Sequence, residues 1–301
     1  MILSYRDGLN NIGEPIANST FPSFPSGFHS TPLSLRVALR AMNSPRMSEW
    51  YMSSEGKSEN YDWTEECQGV TSDGQYWYFP SNNNSKRGIY KMGFKNFSFV
   101  DFFPTDGYGD HIGDIDYYNG WIYAPFEPTL QVLMITPDFQ SSRMAHLQGA
   151  DGGPPPQKEF PWCAINPWNS YLYSSDFYDV AQINSYDPND NFIYKGSLKL
   201  QVPLKEVQGG CFSQNGHLYL SSSSSNDIRG YSVLNGAYLG SAAIQVDTSW
   251  NVAEEVEGMT IFIGVFNGKP TQVHVILLDN DKPDPDDIFL KHYTVPSPED
   301  L

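Results

Sequence analysis

A four-residue pattern recurs along the 301-residue chain: an acidic residue, any residue, Gln or Glu, and Gly. The clear copies are Glu66-Cys67-Gln68-Gly69, Glu206-Val207-Gln208-Gly209 and Glu255-Val256-Glu257-Gly258. Two degenerate copies, Asp110-His111-Ile112-Gly113 and Phe160-Pro161-Trp162-Cys163, lie between the first and the second. The last positions, 69, 113, 163, 209 and 258, are therefore 44, 50, 46 and 49 residues apart. Because each tetrad is followed by a short strand-like run, this period predicts five repeated β-sheet units.

Within each unit, a turn signal separates the first strand from a second strand that is rich in aromatic or β-branched residues. Asn-Gly and Asp-Gly pairs between apolar runs are strong hairpin signals, because both residues accept a positive φ. The turns are Asp73-Gly74, Asn119-Gly120, Asn169-Ser170, Asn215-Gly216 and Asn267-Gly268. The second strands are predicted at Tyr76–Pro80, Trp121–Pro125, Tyr171–Ser175, His217–Ser221 and Val273–Leu278.

The repeat resembles that of the broad set of β-propeller proteins, although the WD dipeptides and Kelch double glycines are missing and no specific family is identified. The resemblance implies an all-β, five-bladed propeller with four-stranded antiparallel blades around a central channel. The chain ends soon after the third strand of the fifth unit, Ile288–Thr294. Since an unpaired edge is a liability, we expect Met47–Ser53 to supply the missing fourth strand. The alternative is a six-bladed ring with a poor N-terminal blade.

The domain organisation follows from the repeat. Residues 1–44 stand outside it and are predicted to form an irregular arm packed on the propeller domain of residues 45–301. The three cysteines, Cys67, Cys163 and Cys211, all fall in predicted first strands. Buried free cysteine is common in such positions, so we expect reduced structural thiols.

Charge and hydropathy exclude several classes of partner. The chain has 18 Lys and Arg against 35 Asp and Glu, a net charge of −17, which repels phosphate backbones and argues against nucleic acid. No apolar run approaches the length of a membrane span. The N-terminal residues lack a signal-peptide pattern, so we expect a protein that is either cytoplasmic or secreted after removal of its signal.

The tetrads predict a cation site. Inner strands of a propeller line the channel, so the residues that open them converge at one mouth. Several carboxylates in one narrow space repel unless a cation offsets them, and hard oxygen ligands suit Ca²⁺ first and Mg²⁺ second. The predicted metal ligands are Glu66, Glu206, Glu255 and Glu257. The alternative is that these side chains hydrogen-bond neighbouring backbone and channel water.

The same mouth contains the candidates for catalysis and ligand binding. Asp110 to Asp116 is the densest ionisable cluster of the chain, and its His111 is suited to acid–base work at neutral pH. Asp114 and Glu206 are the other catalytic candidates. Strand alternation places His111 and Asp114 on opposite faces. The candidate ligand-binding residues are Gln68, Asp110, Trp162 and Gln208, with Trp162 either stacking on a sugar or filling the channel as a core side chain.

These residues predict an enzyme that acts on a small organic or sugar-like ligand at the mouth, by acid–base or metal-assisted chemistry such as hydrolysis. The alternative is a non-catalytic propeller that binds a ligand, a glycan or a protein. A second acidic segment, Asp279 to Asp287, matches calcium-loop spacing only loosely, because the central Gly and terminal Glu are missing. It is interpreted as a solvated hairpin loop.

Overall fold

The structure is a computed structural model, and it describes residues 47–58, 61–247, 254–266, 269–280 and 285–295. These residues form five four-stranded antiparallel sheets in a ring, which confirms the all-β five-bladed propeller. In chain order the strands are β1 (Tyr51–Ser58), β2 (Thr71–Ser72), β3 (Tyr76–Ser81), β4 (Gly88–Gly93), β5 (Phe99–Pro104), β6 (Asp116–Tyr118), β7 (Trp121–Phe126), β8 (Gln131–Ile135), β9 (Ser142–His146), β10 (Ala164–Ile165), β11 (Leu172–Ser174), β12 (Val180–Asp187), β13 (Ile193–Leu204), β14 (Val207–Phe212), β15 (His217–Ser222), β16 (Asp227–Ser232), β17 (Tyr238–Ala243), β18 (Glu255–Phe266), β19 (Lys269–Leu278) and β20 (Ile288–Thr294).

Blades 1 to 4 each consist of four consecutive strands, β2–β5, β6–β9, β10–β13 and β14–β17. Blade 5 combines β18, β19 and β20 from the C-terminal part of the chain with β1 from the N-terminal part. The strands β1 and β20 pair antiparallel, with Tyr51 opposite Thr294 and Ser58 opposite Ile288. The ring is therefore closed by an N-terminal strand, as the missing fourth strand predicts.

The closing strand lies further along the chain than predicted. Residues Met47–Glu49 form a 3-10 turn, and β1 continues to Ser58 instead of ending at Ser53. Met47 is 2% exposed and belongs to a core cluster with Trp50 and Tyr219 of blade 4. Because the Met47 side chain packs in that core, the chain begins to pair with β20 only after Met47.

Apolar clusters fill the spaces between neighbouring blades. Trp77 and Phe79 of blade 1, for example, share a cluster with Ile276 and Leu290 of blade 5. The second strands supply a share of these side chains, which agrees with their richness in aromatic and β-branched residues. All three cysteines are buried and free, as expected for structural thiols.

The hairpin signals are confirmed where the structure describes them. Asn119 and Gly120 have φ values of 50° and 85°, and Gly74 has a φ of 86°. Asn267-Gly268 and the arm of residues 1–44 lie outside the described residues, so the packing of that arm on the propeller stays a prediction. No helix among the described residues is long and apolar enough to cross a membrane.

Candidate functional site

The tetrad glycines surround a single carboxylate on the propeller axis. The innermost strands β2, β6, β10, β14 and β18 contact one another in sequence around the ring. A Cβ added at Gly69, Gly209 or Gly258 would lie 2.5, 2.6 or 2.2 Å from a carboxylate oxygen of Asp114. The repeated glycine therefore exists because no other residue leaves room for that side chain.

Asp114 ties its own blade 2 to three others. Its Oδ1 accepts from the backbone N–H of Val70 at 3.1 Å, and its Oδ2 from those of Gly210 at 3.3 Å and Met259 at 3.0 Å. The residue is fully buried, and this burial raises the pKa of its carboxyl well above the usual range, against the effect of the three hydrogen bonds. Asp114 is placed as a structural anchor, because its oxygens are engaged by backbone and closed to a ligand.

The degenerate second tetrad is shifted by one residue from the alignment that the sequence suggests. The N–H of Gln68 donates to Pro80 O at 3.3 Å, and the N–H of Gly113 makes the equivalent bond to Pro125 O at 3.1 Å. Gly113 is thus the counterpart of Gln68, and Asp114 is the counterpart of Gly69. Blade 2 carries an acid at the axial position, and the glycines of blades 1, 4 and 5 leave space for it.

Trp162 lies in the core and not in the mouth. It is fully buried, pairs with Asp114 in a parallel bridge between blades, and donates from Nε1 to Ser175 Oγ at 3.0 Å. A Cβ at Gly210 would approach its ring to 2.6 Å. Of the two sequence interpretations, this placement agrees with the core side chain and leaves no exposed ring face for a sugar.

Three predicted site residues do occupy equivalent positions at the mouth. Glu66, His111 and Glu206 all precede an inner strand, and the carbonyl of each accepts from the residue after the second strand of its blade. Glu66 and Glu206 share the left-handed backbone conformation, with φ of 49° and 48°. The three bonds are Asn82 N–H to Glu66 O, Glu127 N–H to His111 O and Ser223 N–H to Glu206 O, each at 3.1 Å.

Glu257 is a buried carboxyl without a hydrogen-bond partner among the described residues. It is 2% exposed, and its Oε2 receives no donor. Burial raises the pKa of Glu257 well above the usual value, and the nearby carboxylates of Glu255, Glu66 and Glu127 raise it further. Both effects favour the protonated form of Glu257, which can donate a proton.

Glu255 lies beside it in a partly satisfied environment. Burial and the Glu66 charge raise the pKa of Glu255, whereas two hydrogen bonds lower it. Those bonds come from Gln208 Nε2 at 3.4 Å and Asn280 Nδ2 at 2.7 Å. Gln208, a predicted ligand-binding residue, thus orients a mouth carboxylate in this structure.

His111 is half-buried next to both signs of charge. Burial lowers its pKa, Arg87 lowers it further, and Glu66 opposes both. The imidazole is therefore neutral at neutral pH and able to accept a proton. Asp110, in contrast, has a 96% exposed side chain whose Oδ1 lies 3.7 Å from Arg87 Nη1, so it is at the rim.

Glu127 is a mouth residue that the sequence analysis missed. Burial raises its pKa to about 7, with a further contribution from Glu159. It directly follows strand β7, and the end of a second strand lies next to the start of the first strand in an antiparallel blade. An acid just beyond the predicted second strand Trp121–Pro125 was the signal that could have found it, and Asp279 directly follows β19 in the same way.

The predicted metal ligands do not form one group. Among the described residues, the carboxylate oxygens of Glu65, Glu66 and Asp286 lie within 4.8 Å of one another. Only Glu66 belongs to the predicted set, and Glu206, Glu255 and Glu257 are not part of this group. Asp279 and Asp286 are 1% and 0% exposed, so the interpretation of their loop as solvated is wrong for these two residues.

A separate groove of about 750 Å³ lies along the outer part of blade 1, beside the end of β1. Its lining mixes aromatic rings with polar side chains, and two of the rings, Tyr61 and Phe99, are 58% and 61% exposed. None of the predicted site residues lines it. The lining residues are Lys57, Ser58, Tyr61, Asp62, Trp63, Lys86, Tyr90, Met92, Asn96, Phe97, Ser98, Phe99 and Phe102.

Comparison with known proteins gives a fold and no family. No protein-family model matches the chain, and no curated protein matches it by sequence. Among solved structures, glutaminyl cyclase from Myxococcus xanthus is similar with a TM-score of 0.55 and 14% identity, over 82% of this chain and 97% of that one. A catalytically inactive virginiamycin B lyase from Staphylococcus aureus, bound to quinupristin, has a TM-score of 0.48 and 10% identity, over 80% and 99% of the two chains. At these identities the likeness shows the propeller fold alone.

Proposed function

We propose that the protein is an enzyme that acts by general acid–base catalysis on a small organic or sugar-like ligand at the tetrad mouth. One observation carries the proposal: Glu257 is a buried carboxyl without a partner, beside other carboxylates, with a pKa raised well above its usual value. Buried polar groups are almost always hydrogen-bonded in proteins. An exception inside a ring of ionisable groups is a typical property of a catalytic acid.

In this proposal Glu257 donates a proton and His111 accepts one. Glu257 is neutral because of burial and neighbouring carboxylates, and His111 is neutral because burial and Arg87 lower its pKa. A neutral acid and a neutral base at one mouth can act on the same ligand at neutral pH. Glu66, which interacts electrostatically with both, couples their protonation.

The charge of the mouth restricts the ligand. The carboxylates of Glu66, Glu206 and Glu255 favour a ligand that is uncharged or positively charged and disfavour anions such as phosphate esters. A divalent cation beside Glu66 would weaken this field and assist binding. The reaction is of the hydrolase or related acid–base type, with Glu257 protonating the group that leaves.

The test is an activity screen followed by matched variants. The panel begins with glutaminyl cyclisation, the reaction named by the structural neighbour, and continues with glycoside and ester hydrolysis. For the activity found, Glu257→Gln and His111→Ala should each lower kcat by about 100-fold or more while remaining folded. Asp110→Asn is the control, because that exposed rim acid should leave kcat unchanged. Full activity in both mouth variants would contradict the proposal.

The blade 1 groove favours a second candidate, a glycan-binding module. Sugars bind by stacking on aromatic faces with polar side chains at the edge of the ring, and the groove offers exposed Tyr61 and Phe99 beside Asn96. Its volume lies within the range of about 300–1,000 Å³ of small-molecule sites. Tyr61→Ala and Phe99→Ala should abolish binding on a glycan array, whereas Tyr178→Ala, a tyrosine that is 62% exposed on blade 3, should not.

A further inference from the structure

We propose that Glu65, Glu66 and Asp286 form a Ca²⁺ site at the seam where the last blade meets the first. Glu65 and Glu66 precede the first strand of blade 1. Asp286 lies in the connection between β19 and β20 of blade 5. The proposed site shares Glu66 with the tetrad mouth, but none of its three ligands is the proposed proton donor or acceptor. Its test measures Ca²⁺ binding and not activity, so the two proposals can fail separately.

Backbone hydrogen bonds bring these three carboxylates together. The N–H of Glu66 donates to Asp286 Oδ2 at 2.7 Å, and the N–H of Asp286 donates to Glu65 Oε2 at 3.2 Å. One carboxylate oxygen from each of the three residues then lies within 4.8 Å of the other two. Ca²⁺ binds oxygen at about 2.3–2.6 Å, so oxygens with these separations can reach one ion.

The Asp286 side chain supplies an independent sign of a missing ligand. Asp286 is fully buried, and its Oδ1 has no hydrogen-bond partner. An orphaned carboxylate oxygen in a buried site is costly unless a donor or a cation satisfies it. The backbone N–H of Glu66 already donates to Oδ2, so Oδ1 is the atom left for the ion.

No positive side chain among the described residues offsets Glu65 or Asp286 in an ion pair. The nearby Lys57 of β1 pairs with Asp287 instead, at 3.0 Å. Like charges this close repel one another, and a cation removes the repulsion. Ca²⁺ accepts irregular arrangements of carboxylate oxygens, whereas Mg²⁺ requires near-ideal octahedral geometry, so this group suits Ca²⁺ better.

The experiment measures Ca²⁺ binding directly by isothermal titration calorimetry on protein stripped with EDTA. Asp286→Asn and Glu65→Gln should each weaken the wild-type affinity at least about tenfold, because each removes one charged ligand. Glu255→Gln is the matched control: it removes a mouth carboxylate that interacts with Glu66 but lies outside the three, and it should weaken the Ca²⁺ affinity less than either ligand variant. Circular dichroism confirms that each variant is folded, and Glu65 is partly exposed, so the test stands even if Asp286→Asn unfolds.

Thermal unfolding provides the second readout. Millimolar Ca²⁺ should raise the Tm of the stripped wild-type protein, because an ion that binds only the folded state stabilises it, and this rise should vanish in Glu65→Gln. Absence of binding in the wild-type protein overturns the proposal. Loss of binding in Glu255→Gln with retention in Glu65→Gln overturns it as well, because the ion would then lie among the mouth carboxylates.

Discussion

Asp114 and Glu257 are both buried carboxyls on inner segments of the propeller, and they differ in what surrounds their oxygens. Asp114 accepts three backbone N–H groups from blades 1, 4 and 5. The Glu257 carboxyl has no hydrogen-bond partner among the described residues, and it interacts electrostatically with other carboxylates. Burial raises the pKa of both.

The difference separates a structural role from a chemical one. A buried acid whose oxygens are filled by backbone stabilises the fold and has nothing left for a ligand. A buried acid with an empty oxygen reduces stability and is retained only where it is used. Burial and a perturbed pKa alone would have assigned both residues the same role, and the hydrogen-bond partners distinguish them.

The largest expected effect is the loss of the axial anchor. Asp114→Ala leaves three buried N–H groups without an acceptor, and each such group costs about 1–3 kcal/mol when unsatisfied. We expect the free energy of unfolding to fall by about 3–5 kcal/mol, a large part of the ~5–15 kcal/mol available to a typical domain. Urea unfolding measures the change. The exposed Asp151→Ala is the control, and equal stability of the two variants would contradict the anchoring role.

Glu257→Gln should show the opposite combination of effects. The amide keeps the shape of the side chain and removes the acid, so stability at neutral pH should be unchanged or higher. Activity should fall by about 100-fold, equivalent to about 2.7 kcal/mol in the transition state. Steady-state kinetics and urea unfolding on the same sample give both numbers. A loss of stability as large as that of Asp114→Ala would remove the distinction between the two acids.

The glycines that make room for Asp114 give a smaller effect. A Cβ at Gly258 would lie 2.2 Å from Asp114 Oδ1 and 2.6 Å from Gly69 Cα, so the ring must shift. We expect Gly258→Ala to destabilise the protein by about 1–3 kcal/mol, as overpacking does. Gly153→Ala, where a Cβ meets nothing within 4 Å, is the matched control. Equal Tm values for the two variants would show that the axis has spare room.

The smallest effect is on the pH dependence of stability. The pKa of Glu257 is raised in the folded state, so its contribution is fully present below the unfolded value near 4.5 and is lost as pH rises toward the folded pKa. Wild type should therefore lose up to about 1.4 kcal/mol per pH unit more than Glu257→Gln above about pH 5. Parallel curves of unfolding free energy against pH would show that Glu257 is ionised in the folded protein.

The buried His274 and His292 change the stability with pH in the opposite direction. Their contribution is the same in wild type and in Glu257→Gln, so it cancels in this comparison. Their Nδ1 atoms lie 2.6 Å apart. Burial lowers the pKa of His274 to about 4 and, together with His274, that of His292 to about 3. Their contribution is present above the unfolded value near 6.5 and is lost as pH falls toward the folded pKa values.

The sequence determined the architecture because the repeat consists of local features, the turn residues and the strand-forming residues of each unit. Turn residues such as Asn119 and Gly120 accept positive φ, aromatic runs mark the second strands, and a fifth unit without its fourth strand requires a partner from elsewhere in the chain. These signals depend on residues that are close together in the chain, so they can be recognised in a single sequence. The predicted position of the closing strand was wrong by several residues, because Met47 packs in a hydrophobic core between blades 4 and 5.

Only the tertiary structure decided which acids share an environment. Asp114, a catalytic candidate from the sequence, lies at the axis with its oxygens bonded to backbone, and Trp162 lies in the core. The fold also brings Glu65, Glu66 and Asp286 together at the seam between blades 5 and 1. Glu65 and Asp286 are 221 positions apart in the chain, and no local pattern records that they meet. Hydrogen-bond satisfaction and burial are properties of the folded ring. The tetrads therefore predicted where the acids gather, and the packing of five blades decided which of them are satisfied and which are left for chemistry.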